Sequence, residues 1–276
     1  MTRAGDAIFE LRQKLAASPS AGLDAELLMA HVLGCSRAAL AAAPERELTD
    51  LQTQALAALA ARRSDGEPVA YLTGRRAFWT LELEVTPDVL LPRPETELLV
   101  EIALEELRGV VKPKVLDLGT GSGAIALAIA SERPDALVTA VDQSEAALAV
   151  AARNAGRLQI GNVRFLQGSW YQPVGARRFH AIVANPPYVA DGDPLLATLA
   201  HEPRSALVAG PQGLDALAEI CAGARGRLAN RGVLIVEHGA TQDAAVRAMV
   251  AGAGLSRVAT RMDLAGLPRA TRSSAD

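Results

Sequence analysis

Lys114-Val115-Leu116-Asp117-Leu118-Gly119-Thr120-Gly121-Ser122-Gly123, running on into the apolar stretch Ala124–Ala130, reads as strand, tight turn and helix in direct succession. Glycine lets the backbone turn sharply and lets a ligand approach it. The start of the following helix offers backbone N–H groups. The spacing is G-x-G-x-G. A dinucleotide fingerprint would need glycine at Ala124, and the phosphate loop G-x-x-x-x-G-K-[ST] is absent. Nicotinamide and nucleoside-triphosphate readings therefore lose ground.

Downstream, the short apolar runs Leu137–Val141, Val163–Leu166, Ile182–Ala184 and Val233–Val236 alternate with helical stretches expected over 123–132, 144–155, 214–229 and 242–252. Ser144 and Thr241 are candidate N-caps. This rhythm predicts a doubly wound, mostly parallel α/β sheet, in which ligands bind beyond the carboxyl ends of the strands. Upstream, Ile8, Leu11 and Leu15, and then Leu23, Leu27 and Leu28, fit helical stripes. Gly34 can end the second helix and Ser36 can start a third, while Thr49-Asp50-Leu51-Gln52 reads as a capping box. Residues 1–75 are therefore expected to form a small helical domain. Trp79, Leu81, Leu83 and Val85 alternate with polar residues, which predicts a half-exposed strand hairpinned with Val89-Leu90-Leu91. That hairpin, residues 76–91, is read as the link to a catalytic domain over 92–276.

Half of the 276 residues are hydrophobic, enough for a sizeable core. The formal net charge is −3 and aromatics are 3% of residues, which offers no basic face for duplex nucleic acid. Cys35 and Cys221 are too few and too far apart for a disulfide framework. The first residues lack an apolar signal core, and no uncharged run is long enough to span a bilayer. A cytoplasmic monomer with no membrane contact is the expectation. His31, His180, His201 and His238 lack metal-ligand spacing, so no metal is assigned.

Two strand ends carry the chemistry. Asp142 closes the strand after the glycine turn, where a carboxylate can accept both hydroxyls of a ribose; its other reading is a cap for the helix starting near Ser144. Asn185-Pro186-Pro187-Tyr188 closes the strand 179–184. Two prolines stiffen this loop and leave carbonyls free to accept, while Tyr188 offers an aromatic wall. Such a loop suits a planar NH₂ group, whose two donors it can hold while the nitrogen faces a sulfonium methyl. An amide nitrogen is a poor nucleophile because its lone pair is delocalised. Acceptance of its N–H groups by the Asn185 side chain and the Pro186 carbonyl favours charge building on nitrogen, and no histidine is needed as base.

Glu67–Gly74, Pro92-Arg93-Pro94-Glu95-Thr96-Glu97, Asn185–Tyr188, Glu202-Pro203 with Ala206-Leu207, and Glu237-His238-Gly239 occur in this order. Together they resemble the PrmC/HemK family of protein-(glutamine) methyltransferases. The resemblance runs from about residue 65 to the end, and the helical N-terminal segment is consistent with it. It implies a Rossmann-like class I methyltransferase domain that uses S-adenosyl-L-methionine. It further implies methylation of the side-chain amide of the glutamine in the Gly-Gly-Gln motif of bacterial peptide-chain release factors, with an effect on translation termination. Gly119, Thr120, Gly121, Ser122 and Gly123 would hold the amino-acid end of the cofactor. Asp142 would hold the ribose, Trp170 would neighbour the adenine, and Asn185 would lie near the methyl donor. Asn185, Pro186, Pro187 and Tyr188 would hold the glutamine, with Asn185 and Pro186 catalytic. Ser169 stands where family members often carry an acid. An exocyclic-amine methyltransferase acting on RNA or DNA bases would use the same loop, but the acidic balance and scarce aromatics weigh against it. A binding protein on a decayed methyltransferase fold is opposed by the intact glycine turn, Asp142 and Asn185.

Overall fold

The computed structural model describes residues 2–275; Met1 and Asp276, the outermost positions of the two expected domains, lie outside the described residues. The chain divides into two compact units between Arg75 and Arg76.

The first unit holds α1 (Ala4–Lys14), α2 (Ala21–Leu33), α3 (Arg37–Ala42), α4 (Asp50–Ser64) and α5 (Val69–Thr73). Its core gathers Leu11, Leu15, Leu28, Met29, Leu33, Leu40 and Leu56. Gly34 ends α2 in the left-handed conformation, Ser36 caps α3, and Thr49 and Gln52 form a reciprocal capping box on α4. The buried face of α2 departs from the expected stripe: Ala25, Leu28 and Met29 face inward, whereas Leu23 is 44% exposed. The neighbouring Asp24 is buried instead, accepting from Ser18, Ser20 and Arg63.

A hairpin, β1 (Arg75–Phe78) and β2 (Leu81–Glu84), comes next. This corrects the expected pairing with Val89-Leu90-Leu91. Trp79 adopts φ +56°, which puts Trp79-Thr80 in the turn and folds β2 back on the preceding residues. Val89 and Leu91 are buried without forming a strand.

The remaining elements are α6 (Glu97–Glu106), β3 (Lys114–Leu118), α7 (Ala124–Glu132), β4 (Leu137–Asp142), α8 (Glu145–Leu158), β5 (Val163–Gln167), β6 (Phe179–Ala184), α9 (Leu195–Thr198), α10 (Asp215–Ala224), β7 (Leu228–Glu237), α11 (Asp243–Gly252), β8 (Ser256–Met262) and β9 (Pro268–Ser274). The seven-stranded sheet has the order β5-β4-β3-β6-β7-β9-β8. Strands β3 to β7 pair in parallel, and β9 is antiparallel to both β7 and β8. Alternate strand residues feed two cores. Val115, Val138, Ala181 and Val233 pack with α6 and α7, while Leu116, Leu118, Ile182 and Leu234 pack with α10 and α11. The sheet is thus doubly wound, with β3 at its turning point.

Two helix limits differ from expectation. The helix foreseen over 214–229 stops at Ala224, because Leu228 is wholly buried and pairs with Phe179 as the first residue of β7. Gln242, not Thr241, precedes α11, and its side chain accepts from Gly239 N rather than capping the helix. Ser144 caps α8 as foreseen, accepting from Ala147 N at 3.1 Å.

Candidate active site

Strand register builds the site. Leu118 pairs with Val141 on one side and Ala184 on the other; Asp142 pairs with Gln167, and Ala184 with Val236. Gln167, Asp142, Gly119, Asn185 and Glu237 consequently stand abreast at the carboxyl ends of five parallel strands. A pocket opens over this row. Its lining includes Gly119, Gly121, Asp142, Trp170, Asn185 and Pro187, together with Val89, Leu90, Gln143, Gly168, Ser169, Pro203, Ser205 and Ala206.

Gly119, Gly121 and Gly123 adopt φ of +74°, +55° and +85°, a succession of left-handed residues that only glycine accepts without strain. Most backbone N–H groups of the turn itself are already engaged. Gly119 N and Thr120 N both donate to Val141 O, Gly121 N donates to Asp142, and Gly123 N donates to Thr120 O. Its contribution is a bare backbone surface with no side chain at Gly119 or Gly121. Thr120, Ser122 and Gly123 lie outside the pocket lining and brace the turn instead. The Thr120 hydroxyl donates to Asp117 Oδ2 at 2.6 Å, and the Ser122 carbonyl accepts from Asn154 Nδ2 at 3.0 Å. Asn154, wholly buried, also binds Glu84 N and O, so one side chain ties the hairpin to the turn. Burial pushes the Asp117 carboxyl up to about 7, against the lowering effect of Thr120.

The Asp142 carboxylate ties the glycine turn to the residue that caps α8. Oδ2 accepts from Gly121 N at 2.8 Å and Oδ1 from Ser144 N at 2.9 Å, while the carboxylate also borders the pocket. Each oxygen keeps a lone pair for a further donor. Trp170 has φ +41°, an uncommon conformation for a large side chain. Its ring lies over the turn, so that a Cβ on Gly119 would come within 3.5 Å of it.

At the end of β6, Asn185 Nδ2 donates to Thr96 Oγ1 at 3.0 Å, which leaves Oδ1 as the amide acceptor at the pocket. Pro187 lines the pocket beside it; Pro186 and Tyr188 do not. Pro186 is buried. Tyr188 turns inward and donates to Glu237 Oε1 at 3.2 Å. Its carbonyl accepts from Gln242 Nε2 at 3.0 Å, and Val189 N donates to Leu207 O at 2.8 Å, so the loop is pinned on two sides. Burial drives the Tyr188 hydroxyl well above its ordinary range and raises Glu237 to about 7. The far wall is clamped by Glu202, 7% exposed, which pairs with Arg93 and accepts from Leu91 N at 3.1 Å. His238 is wholly buried between Gly239 O and Thr271 Oγ1, and burial holds its pKa below the usual value.

Thr96, Glu237 and Glu202 had no assigned role at the sequence level. They lay within the quoted motifs, and that was the only signal they gave. Among the described residues no group of three His, Cys, Asp or Glu could hold a metal ion, and no helix is long and apolar enough to cross a membrane.

The donor set fits a nucleoside-bearing sulfonium. It comprises a side-chain-free turn, one carboxylate able to take ribose hydroxyls, an indole wall and a neutral amide oxygen. Comparison with known proteins agrees. Residues 6–74 match the PrmC N-terminal domain and residues 94–212 the methyltransferase small domain. A release factor glutamine methyltransferase of Burkholderia pseudomallei is 51% identical over 93% of this chain and 93% of its own. Those of Coxiella burnetii and Escherichia coli are 48% identical (94% and 93%) and 46% identical (95% of each). Among solved structures, a Thermus thermophilus 16S rRNA N2 G1207 methyltransferase in complex with AdoMet and guanosine superposes with a TM-score of 0.56 at 20% identity, over 73% of this chain and 50% of that one. The hMettl16 catalytic domain in complex with an RNA hairpin gives 0.57 at 12% identity, over 83% of each. These two share the class I methyltransferase fold with this chain. The extent and level of identity across both units settle the family: this chain belongs to the release factor glutamine methyltransferases.

Proposed function

We propose that this protein transfers the methyl group of S-adenosyl-L-methionine to the side-chain amide nitrogen of the glutamine in the Gly-Gly-Gln motif of peptide-chain release factors. The observation that carries the reading is Asn185, whose Nδ2 is committed to Thr96 and whose Oδ1 is left to accept at the pocket, one strand from Gly119. When bound, S-adenosyl-L-methionine supplies an electrophilic methyl on a sulfonium sulfur. Gly119 and Gly121, on a turn braced by Thr120, Ser122 and Gly123, would face its amino-acid end, Trp170 would face its adenine side, and Asp142 would accept from its ribose. Asn185 Oδ1 and the Pro186 carbonyl accept the two N–H groups of the glutamine amide. They hold the nitrogen on line with the methyl and stabilise the positive charge that grows on it. With the methyl group transferred to the amide nitrogen, the electron pair of the broken carbon–sulfur bond would stay on the cofactor's sulfur, and the alkylated nitrogen would shed its proton to water. Pro187 and the inward-facing Tyr188 keep this loop from yielding.

The helical unit is proposed to dock the release factor. It exposes Phe9, Leu23 and Leu51, at 64%, 44% and 78%, apolar side chains that a folded partner can cover. The work is done by a monomer in the cytoplasm, without contact to nucleic acid or membrane.

The test is transfer of labelled methyl from S-adenosyl-L-methionine to purified release factor, with tRNA, rRNA and DNA alongside. Label should appear on the release factor glutamine alone. Asn185→Ala should slow single-turnover transfer on the order of a hundredfold while release-factor binding persists. Label on a nucleic acid and none on the release factor would favour the exocyclic-amine reading.

A further inference from the structure

A primary amide presents an oxygen on one side and an NH₂ of nearly the same shape on the other. At Asn185 the difference is decisive, because oxygen toward the pocket attracts a substrate N–H and NH₂ toward the pocket repels it. Proline stiffness in the loop fixes the backbone but not the turn of this side chain. The atom that does engage it is Thr96 Oγ1, 3.0 Å from Asn185 Nδ2, at the end of the short 3₁₀ turn Pro94–Thr96. Thr96 is 4% exposed, so water does not compete for its hydroxyl. That hydroxyl also faces the Glu237 carboxyl, whose pKa it lowers against the raising effect of burial.

We propose that Thr96 is a positioning residue that fixes the orientation of the Asn185 amide, holding Oδ1 toward the pocket and so selecting a substrate that presents an N–H donor. The inference rests on the reading of Asn185 Oδ1 as the acceptor of the substrate amide.

The test uses the full chain, S-adenosyl-L-methionine and purified release factor. Thr96→Val keeps the shape and removes the hydroxyl; Thr96→Ser restores it. At saturating substrates, Thr96→Val should lower the single-turnover rate by about tenfold, the scale of one lost hydrogen bond. Cofactor affinity by calorimetry should stay within about twofold on the same scale. Thr96→Ser should recover most of the rate. In the Asn185→Ala background, Thr96→Val should cost nothing further, since the side chain it orients is gone. Should the valine variant fail to fold, Thr96→Ala removes the same hydroxyl without adding bulk. A strongly impaired Asn185→Ala beside an unimpaired Thr96→Val overturns the role of Thr96 alone. Losses that multiply in the double variant overturn it as well. If Asn185→Ala is itself unimpaired, the reading of Asn185 falls and the inference falls with it.

Discussion

Asp142 takes a backbone N–H on each carboxylate oxygen, from Gly121 and from Ser144, and this makes the position intolerant of even its own amide. Asparagine would have to set an NH₂ against one of those donors. Asp142→Ala and Asp142→Asn should both weaken S-adenosyl-L-methionine binding by roughly tenfold to a hundredfold, from the loss of about 1.5–3 kcal/mol of charge-assisted bonding. Calorimetry finding native affinity in either folded variant would remove Asp142 from the cofactor site. Glu237 yields a prediction in pH. Its carboxyl is raised from 4.5 to about 7 by burial, and Thr96, Tyr188, Arg269 and Glu95 face it. The folded chain therefore keeps a proton that the unfolded chain has released. The stability this brings is full below about 4.5 and is lost as pH rises through 7. Glutamine cannot lose a proton, so Glu237→Gln should gain melting temperature relative to the parent between pH 5 and pH 8. A difference that does not change with pH would refute the burial argument. Asn185, Asp142 and the glycines were legible because a strand end followed by such a residue has few other readings. Thr96 was not: its partner lies 89 positions away, and nothing local marks a threonine whose role is to face another residue's amide.

Among the elements, β3, β4, β6 and β7 were legible because strands largely buried on both faces read as short apolar runs, and the edge strand β5, none of whose residues is buried, was legible from Val163, Phe165 and Leu166. The last two were not. Pro268-Arg269-Ala270-Thr271-Arg272-Ser273-Ser274 carries almost no apolar signal, yet Ala270, Thr271, Ser273 and Ser274 are buried as β9. Thr271 is buried because its hydroxyl meets His238 and Thr260, a satisfaction that appears only once the sheet is assembled. The hairpin was misplaced because alternation shows that a strand exists but not which neighbour it pairs with. The wall between residues 88 and 93 is no regular element at all; the buried Glu202 holds it in place. Glu202→Ala leaves Leu91 N without its acceptor and Arg93 without its carboxylate, which should cost about 1–3 kcal/mol of stability in urea unfolding. It should also raise KM for the release factor. Unchanged stability would mean that the wall holds itself.

For the molecule as a whole, every residue of the pocket falls after position 87, in the second compact unit. Specific protein pairs usually bury about 1,200–2,000 Å², more than a single glutamine loop in a pocket provides. A chain beginning at Ala77 should bind S-adenosyl-L-methionine almost as well as the intact protein and still act on a short Gly-Gly-Gln peptide. It should methylate the intact release factor poorly, chiefly through weaker association. A soluble truncated chain with undiminished activity on the whole release factor would end the docking role of the helices.

The placement of Trp170 has an optical consequence. The protein has two tryptophans. Trp170 lies over Gly119 at the pocket, while Trp79 bonds Glu132 at the last residue of α7, a helix whose first residue follows the glycine turn. Intrinsic fluorescence is thus already divided between an emitter that a ligand would touch and one that it would not. A ligand entering the pocket should change the emission of Trp170 and leave that of Trp79 as it was. Binding can then be followed in the unlabelled protein, with Trp79→Phe keeping the signal and Trp170→Phe abolishing it.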